Sequence, residues 1–189
     1  MRKSMMAMIF LSSILWGSVS LGESKMETAT FAAGCFWGTE EFFRKLPGVV
    51  STKVGYTGGT TASPKYEQMH DGHTGHAESV EVVFDPAKIS YESLVDSFFK
   101  MHDPTTLNRQ GNDEGTQYRS AIFYHGDQQK KTAMDFKAKV EKSGAWKAPI
   151  TTEISSAGKF WPAEDYHQKY LVKHPGGYDN HYLRKISFK

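Results

Sequence analysis

The 189-residue chain contains a single cysteine, Cys35, which excludes an intramolecular disulfide framework and any zinc site built from several cysteines. Its fold therefore has to rest on a buried core. The length is one domain's worth, enough for a sizeable core, and 12 Phe, 4 Trp and 9 Tyr are too many aromatics for a chain that stays unfolded. The 23 Lys plus Arg nearly balance the 21 Asp plus Glu, so the totals contain no basic field for nucleic acid or anionic lipid.

The first 22 residues differ from the rest. Arg2 and Lys3 precede an apolar run from Met5 to Trp16, and small residues fill Gly17 to Gly22, the pattern of an export signal. A retained anchor is the alternative, but the run of 12 residues is short of the roughly 20 that a membrane-spanning helix needs. Cleavage after Ser18-Val19-Ser20 or Ser20-Leu21-Gly22 is expected, with a mature start near Leu21 or Glu23 in the periplasm or outside the cell. That chain would carry 21 basic and 21 acidic residues.

Residues 23–189 contain no repeat and no long linker, and read as one catalytic unit. Strands are expected over Glu27–Ala33, Val49–Tyr56, Ser79–Phe84, Ala121–Tyr124 and Thr151–Ile154, from alternation and β-branched content. Helices are expected over Trp37–Leu46, stopped by Pro47-Gly48, over Tyr91–Met101, over a charged, solvent-facing Asp127–Lys142, and over Pro162–Val172. An irregular tail follows Pro175. The loop-rich segments Lys53–Phe84 and Met101–Arg119 are unusual for a doubly wound sheet, so a two-layer α+β sandwich with long loops is the expected architecture.

Gly34-Cys35-Phe36-Trp37-Gly38 spans the junction of the first strand and the first helix. Unpaired amides and the dipole at a helix N-terminus stabilise a thiolate, which would make Cys35 nucleophilic. A small buried cysteine is the bland alternative; the flanking glycines, which allow a sharp turn and a close approach, favour the reactive reading. Phe36 and Trp37 beside the thiol can wall an apolar pocket. Glu78 leads into a strand whose Val80 and Val82 face inward; on that same face, desolvation would keep it protonated as a general acid. A solvated strand-end glutamate fits the local pattern slightly better. The segment Gln110 to Ser120 is polar and glycine-rich, then abruptly strand-like, as a binding loop presented by a sheet would be.

Gly34-Cys35-Phe36-Trp37-Gly38, Gly55-Tyr56-Thr57-Gly58-Gly59, Gly75-His76-Ala77-Glu78 and Gly111-Asn112-Asp113 with Gly115-Thr116-Gln117-Tyr118-Arg119-Ser120 together resemble the peptide methionine sulfoxide reductase A (MsrA) family. The likeness runs from about Glu27 to His174 and includes Ala163-Glu164-Asp165-Tyr166-His167-Gln168. It implies a ferredoxin-like core and reduction of the S epimer of methionine sulfoxide, in proteins and as the free amino acid, through a cysteine sulfenic acid. By this resemblance Cys35 attacks the sulfoxide sulfur and Glu78 protonates its oxygen. Tyr66 and Tyr118 hydrogen-bond that oxygen, Asp113 is the active-site aspartate, and Phe36 with Trp37 hold the methyl group.

The chemistry suits these residue types. Sulfoxide oxygen leaves only when protonated, so thiolate attack and acid donation must occur together, and aromatic walls suit a methyl group on a polarizable sulfur. The tail departs from the family pattern. Many members carry further cysteines there, whereas Gly177-Tyr178-Asp179-Asn180-His181 has none. No cofactor is expected, but an external thiol is required: thioredoxin, glutaredoxin, glutathione or similar.

Two other readings fit fewer residues. A cysteine–histidine hydrolase would use one of the eight histidines, with nothing fixing which. Metal binding by His70, His73 and His76 needs a helix that Gly72 and Gly75 oppose.

Overall fold

The computed structural model describes residues 25–189; the expected leader, residues 1–22, lies outside them. Strand β1 (Glu27–Ala33) leads into helix α1 (Phe36–Arg44), then β2 (Val49–Thr57), a one-turn α2 (Tyr66–Met69) and β3 (Ala77–Phe84). Helix α3 (Tyr91–Met101) is followed by a small hairpin, β4 (Arg109–Gln110) and β5 (Asp113–Glu114), and a 3₁₀ turn at Thr116–Tyr118. The chain continues through β6 (Ser120–Tyr124), α4 (Asp127–Ser143), β7 (Glu153–Ser156), β8 (Trp161–Pro162) and α5 (Tyr170–Lys173).

The main sheet has the order β7-β6-β1-β3-β2-β8. Its four central strands pair antiparallel, with β3 between β1 and β2 and with β1 between β3 and β6. Helices α1 and α3 make the two crossovers, which is the ferredoxin-like arrangement implied by the resemblance. β7 adds to β6 in parallel, and β8 adds antiparallel to β2.

Alternation along the strands puts Ala29, Phe31 and Ala33 of β1 and Val80, Val82 and Phe84 of β3 on one buried face. Helix α3 covers it with the expected stripe, Leu94, Val95, Phe98 and Phe99, all fully buried. Ser90 caps this helix, its hydroxyl accepting from the Ser93 amide at 3.1 Å, which satisfies one of the orphan donors of the first turn. Phe31 stacks on Phe43 of α1 at 4.7 Å. The opposite face of the sheet carries a smaller cluster of Ala32, Ala77, Ala121 and Phe123.

Two expectations need correction. Helix α4 is charged but not simply solvent-facing: Ala133, Phe136 and Val140 form a buried stripe at helical spacing, with Phe136 stacked on Phe99 and edge-on to Phe188. No helix spans Pro162–Val172. Pro162 belongs to β8, and only Tyr170–Lys173 is helical. In between, side chains that a helix would leave on its surface bind other elements instead. Gln168 accepts from the Val54 amide and donates to the Val54 carbonyl, and Lys169 adopts a left-handed backbone at φ 52°.

Candidate active site

The site forms where β1 ends. Gly34 makes the turn at φ 94°, in the left-handed region that favours glycine, and a side chain there would run into Gln110. Cys35 follows as the N-cap of α1 and is only 9% exposed. The expected stabilised thiolate is not its resting state. Burial and then the Glu78 carboxylate push the thiol well above its usual value, and the Trp37 and Gly38 amides of the first helical turn, which favour the thiolate, do not outweigh them. Gly38 leaves room for the tail, since a side chain there would meet Asp179 and His181.

Glu78 lies on the same face of β3 as Val80 and Val82 and is 2% exposed. Its Oε2 accepts a hydrogen bond from the Phe36 amide at 3.0 Å, which ties the carboxyl to the helical turn that starts at Cys35. Burial raises its pKa to about 8, the Phe36 amide opposes the shift, and the negative charge of Asp113 adds to it. A carboxylic acid that stays protonated through neutral pH is thus fixed near the thiol.

Tyr66 at the start of α2 and Tyr118 at the end of the 3₁₀ turn border this pair. Burial, the charge on Glu78 and the charge on Cys35 all raise the Tyr66 hydroxyl, to about 12. Burial and Glu78, then Tyr66, Cys35 and Asp113, raise that of Tyr118 as well. Both hydroxyls therefore remain donors at any physiological pH. Asp113, from β5, is engaged by the tail: the Tyr178 hydroxyl donates to its Oδ2 at 3.0 Å, and the Asn180 amide at 3.2 Å. Asn180 also donates to the Gln110 carbonyl, and His181 Nε2 donates to the Ala33 carbonyl at 2.6 Å. The cysteine-free tail is thereby laid across the end of β1, beside Cys35.

An aromatic wall closes the other side. Phe36 is buried and Trp37 half-buried, and both rings lie against His167, at 5.1 and 5.7 Å. The wall is held by polar side chains of residues 163–169. Glu164 accepts from the Tyr56 hydroxyl at 2.9 Å and from the Tyr66 amide at 3.1 Å, while buried Glu40 of α1 accepts from the Lys169 amide at 2.7 Å. Sequence reasoning gave no role to Glu40, Tyr56, Glu164, His167, Tyr178 or Asn180. The one available signal was the density of polar and aromatic residues in Ala163-Glu164-Asp165-Tyr166-His167-Gln168.

The metal reading loses a ligand. His76 is buried and uses both ring nitrogens on backbone, Nδ1 accepting from the Gly59 amide and Nε2 reaching the Thr61 carbonyl. The hydrolase reading needs an imidazole base at the thiol, whereas after burial the group that most affects its ionisation is the carboxylate of Glu78.

Residues 27–188 match the family model for peptide methionine sulfoxide reductase. A relative from Methanothermobacter thermautotrophicus named peptide methionine sulfoxide reductase MsrA is 56% identical over 152 residues, covering 80% of this chain and 90% of the relative. Reduced Mxr1 from Saccharomyces cerevisiae superposes with a TM-score of 0.80 at 40% identity, covering 89% of this chain and 97% of that one. Mxr1 in complex with Trx2 matches at a TM-score of 0.59 and 29% identity, covering 89% and 96%. The chain belongs to the peptide methionine sulfoxide reductase family.

Proposed function

We propose that the chain reduces the S epimer of methionine sulfoxide, in peptides and as the free amino acid, with Cys35 as nucleophile and Glu78 as general acid. The observation that carries this reading is the Phe36–Glu78 hydrogen bond, 3.0 Å long. It locks a buried acid with a pKa of about 8 to the turn that presents the thiol. Sulfur of Cys35 attacks the sulfoxide sulfur as Glu78 protonates the oxygen, and the Tyr66 and Tyr118 hydroxyls donate hydrogen bonds to that oxygen. The thiol proton restores Glu78. Oxygen passes to Cys35 as a sulfenic acid and methionine leaves, so Cys35 is oxidised by two electrons and the substrate sulfur is reduced by two, with no net proton taken up.

While Glu78 keeps its proton, its repulsion of the thiolate is absent, and the Trp37 and Gly38 amides are then opposed only by burial and by the charge on Asp113. A wall of Phe36 and Trp37 for the methyl group and hydroxyls for the oxygen admit one arrangement of a chiral sulfoxide. Incubation with racemic N-acetylmethionine sulfoxide and dithiothreitol is expected to consume half of the substrate and leave the R epimer. Consumption of both epimers at equal rates, or of neither, refutes this reading.

Recycling falls to an incoming thiol, since the chain has no second cysteine. One thiol condenses with the sulfenic acid to a mixed disulfide and water, and a second thiol then releases Cys35. The complex of the related Mxr1 with Trx2 supports a protein thiol in that role.

The protein works outside the cytoplasm, a reading supported by Arg2 and Lys3 ahead of the apolar run Met5–Trp16. N-terminal sequencing of the protein from cells is expected to start near Leu21 or Glu23; an intact Met1 refutes export with cleavage.

A further inference from the structure

One amide organises the contact between the tail and Asp113. Nδ2 of Asn180 faces three oxygens: the Gln110 carbonyl at 3.0 Å, the Tyr178 hydroxyl at 3.0 Å and Oδ2 of Asp113 at 3.2 Å. Because the Tyr178 oxygen accepts from Asn180, its own proton is left for Asp113, to which it donates at 3.0 Å. Both donors on Asp113 therefore depend on Asn180. A side chain at Gly111, where φ is 61°, would run into the same Nδ2.

Pinning the tail does not call for this amide. Beyond Asn180 the tail is held by His181 on the Ala33 carbonyl at 2.6 Å, by the Tyr182 amide on the Met101 carbonyl at 3.2 Å and by the Arg184 amide on the Lys100 carbonyl at 3.1 Å. Oδ1 of Asn180 is buried with no hydrogen-bond partner among the described residues, a cost that an apolar side chain of the same size would avoid. What asparagine has and leucine lacks is the pair of N–H donors.

Asp113 needs such a hold. It lies on a two-residue strand that pairs with β4, apart from the main sheet. Its charge nonetheless reaches Glu78, Cys35, Tyr66 and Tyr118, and raises the pKa of each. A carboxylate that swung out toward solvent would lose this influence, because water screens it.

We propose that Asn180 is a positioning residue for sulfoxide reduction, whose amide fixes the Asp113 carboxylate, directly and through Tyr178, beside Cys35 and Glu78. The proposal rests on the reading of Glu78 as the general acid. Around that acid stand Cys35 at the N-cap of α1, Tyr56 of β2, Tyr66, Tyr118 and Asp113. Of these, Asp113 is the group whose charge raises Glu78.

The test follows the rate of first methionine release from N-acetylmethionine sulfoxide across about pH 6 to 10 in Asn180→Leu, Asn180→Ala, Asp113→Asn and the double variant Asp113→Asn/Asn180→Leu. Limited proteolysis of the tail runs alongside. With the Asp113 carboxylate released, Glu78 loses a charge that favours its proton, so the break near pH 8 is expected to fall. Burial and the Phe36 amide act on Glu78 more strongly than Asp113 does, so the expected fall is about half a unit in both Asn180 variants and in Asp113→Asn. That corresponds to a rate about threefold lower at pH 9. In Asp113→Asn, whose side chain has no charge to position, adding Asn180→Leu is expected to leave the break within about 0.2 of a unit. An unmoved break in the Asn180 variants overturns the proposal, and so does a break that moves in only one of them or moves as far in the Asp113→Asn background. Faster cleavage of the tail with an unmoved break assigns Asn180 to pinning the tail and overturns it as well. Those outcomes leave the parent's own break in place; a parent with no break near pH 8 removes the reading of Glu78 as the acid, and the proposal with it.

Discussion

Cys35→Ser is expected to abolish sulfoxide reduction completely while leaving the protein at least as stable as the parent. A serine hydroxyl has the shape of the thiol but neither its nucleophilicity nor an oxidation ladder on which to accept oxygen. Stability moves the other way because Cys35 is the N-cap of α1 and makes no side-chain cap hydrogen bond. Serine is among the best N-caps, with a hydroxyl that accepts from amides of the first turn, and is worth about 0.5–2 kcal/mol over a residue that cannot cap. The buried site takes part of that gain back through desolvation. A thermal midpoint equal to or above that of the parent, together with no methionine released, separates chemistry from folding; measurable turnover by the serine variant means another group attacks the sulfur.

Glu78→Gln is expected to slow release of the first methionine by about 10²–10⁴-fold, the usual range for a general acid. The amide can still accept from the Phe36 N–H, so the local geometry survives and only the proton is lost. In the parent the rate should hold up to about pH 8 and fall above it, following the pKa of Glu78; in the glutamine variant that break disappears. Thiol reactivity responds in the opposite sense. Removing the carboxylate that opposes the thiolate is expected to make Cys35 alkylate faster than in the parent at pH 9.

Stability should rise as well. The folded state binds the Glu78 proton more tightly than the unfolded chain does, so the parent's stability is fully present below about pH 4.5 and declines as pH rises to about 8. At pH 7 the neutral glutamine avoids this penalty, a gain on the order of 2–3 kcal/mol. A variant as fast as the parent across neutral pH means that water or a tyrosine is the acid.

The fold was legible where one element's period decides its own burial. The stripe of α3 and the alternation in β1 and β3 could be read locally, because each residue's environment follows from its neighbours at two, three and four positions. Glu78 marks the limit. Its period with Val80 and Val82 pointed inward, but a strand end can equally face water, and the helix turn that buries it starts at Cys35, far away in sequence. Residues 163–169 mark the failure. Their spacing suits a helix, yet Glu164 and Gln168 bind Tyr56, Tyr66 and Val54, and those partners outweigh local helix propensity. The place of His167 was hidden for the same reason: its hydrogen-bond partner Trp37 is 130 positions away. The tail has no period at all, and its place beside Cys35 is set by hydrogen bonds to Asp113 and to the end of β1.

The most direct test of the account is the stoichiometry of a reaction run without reductant. One thiol with no partner cysteine can take one oxygen and then has to stop. Rapid mixing of reduced protein with excess methionine sulfoxide, followed by intact-mass measurement, is predicted to release about one methionine per chain and to leave a single added oxygen that a sulfenate trap captures at Cys35. Release of several methionines per chain, or a trapped adduct at any residue other than Cys35, contradicts it.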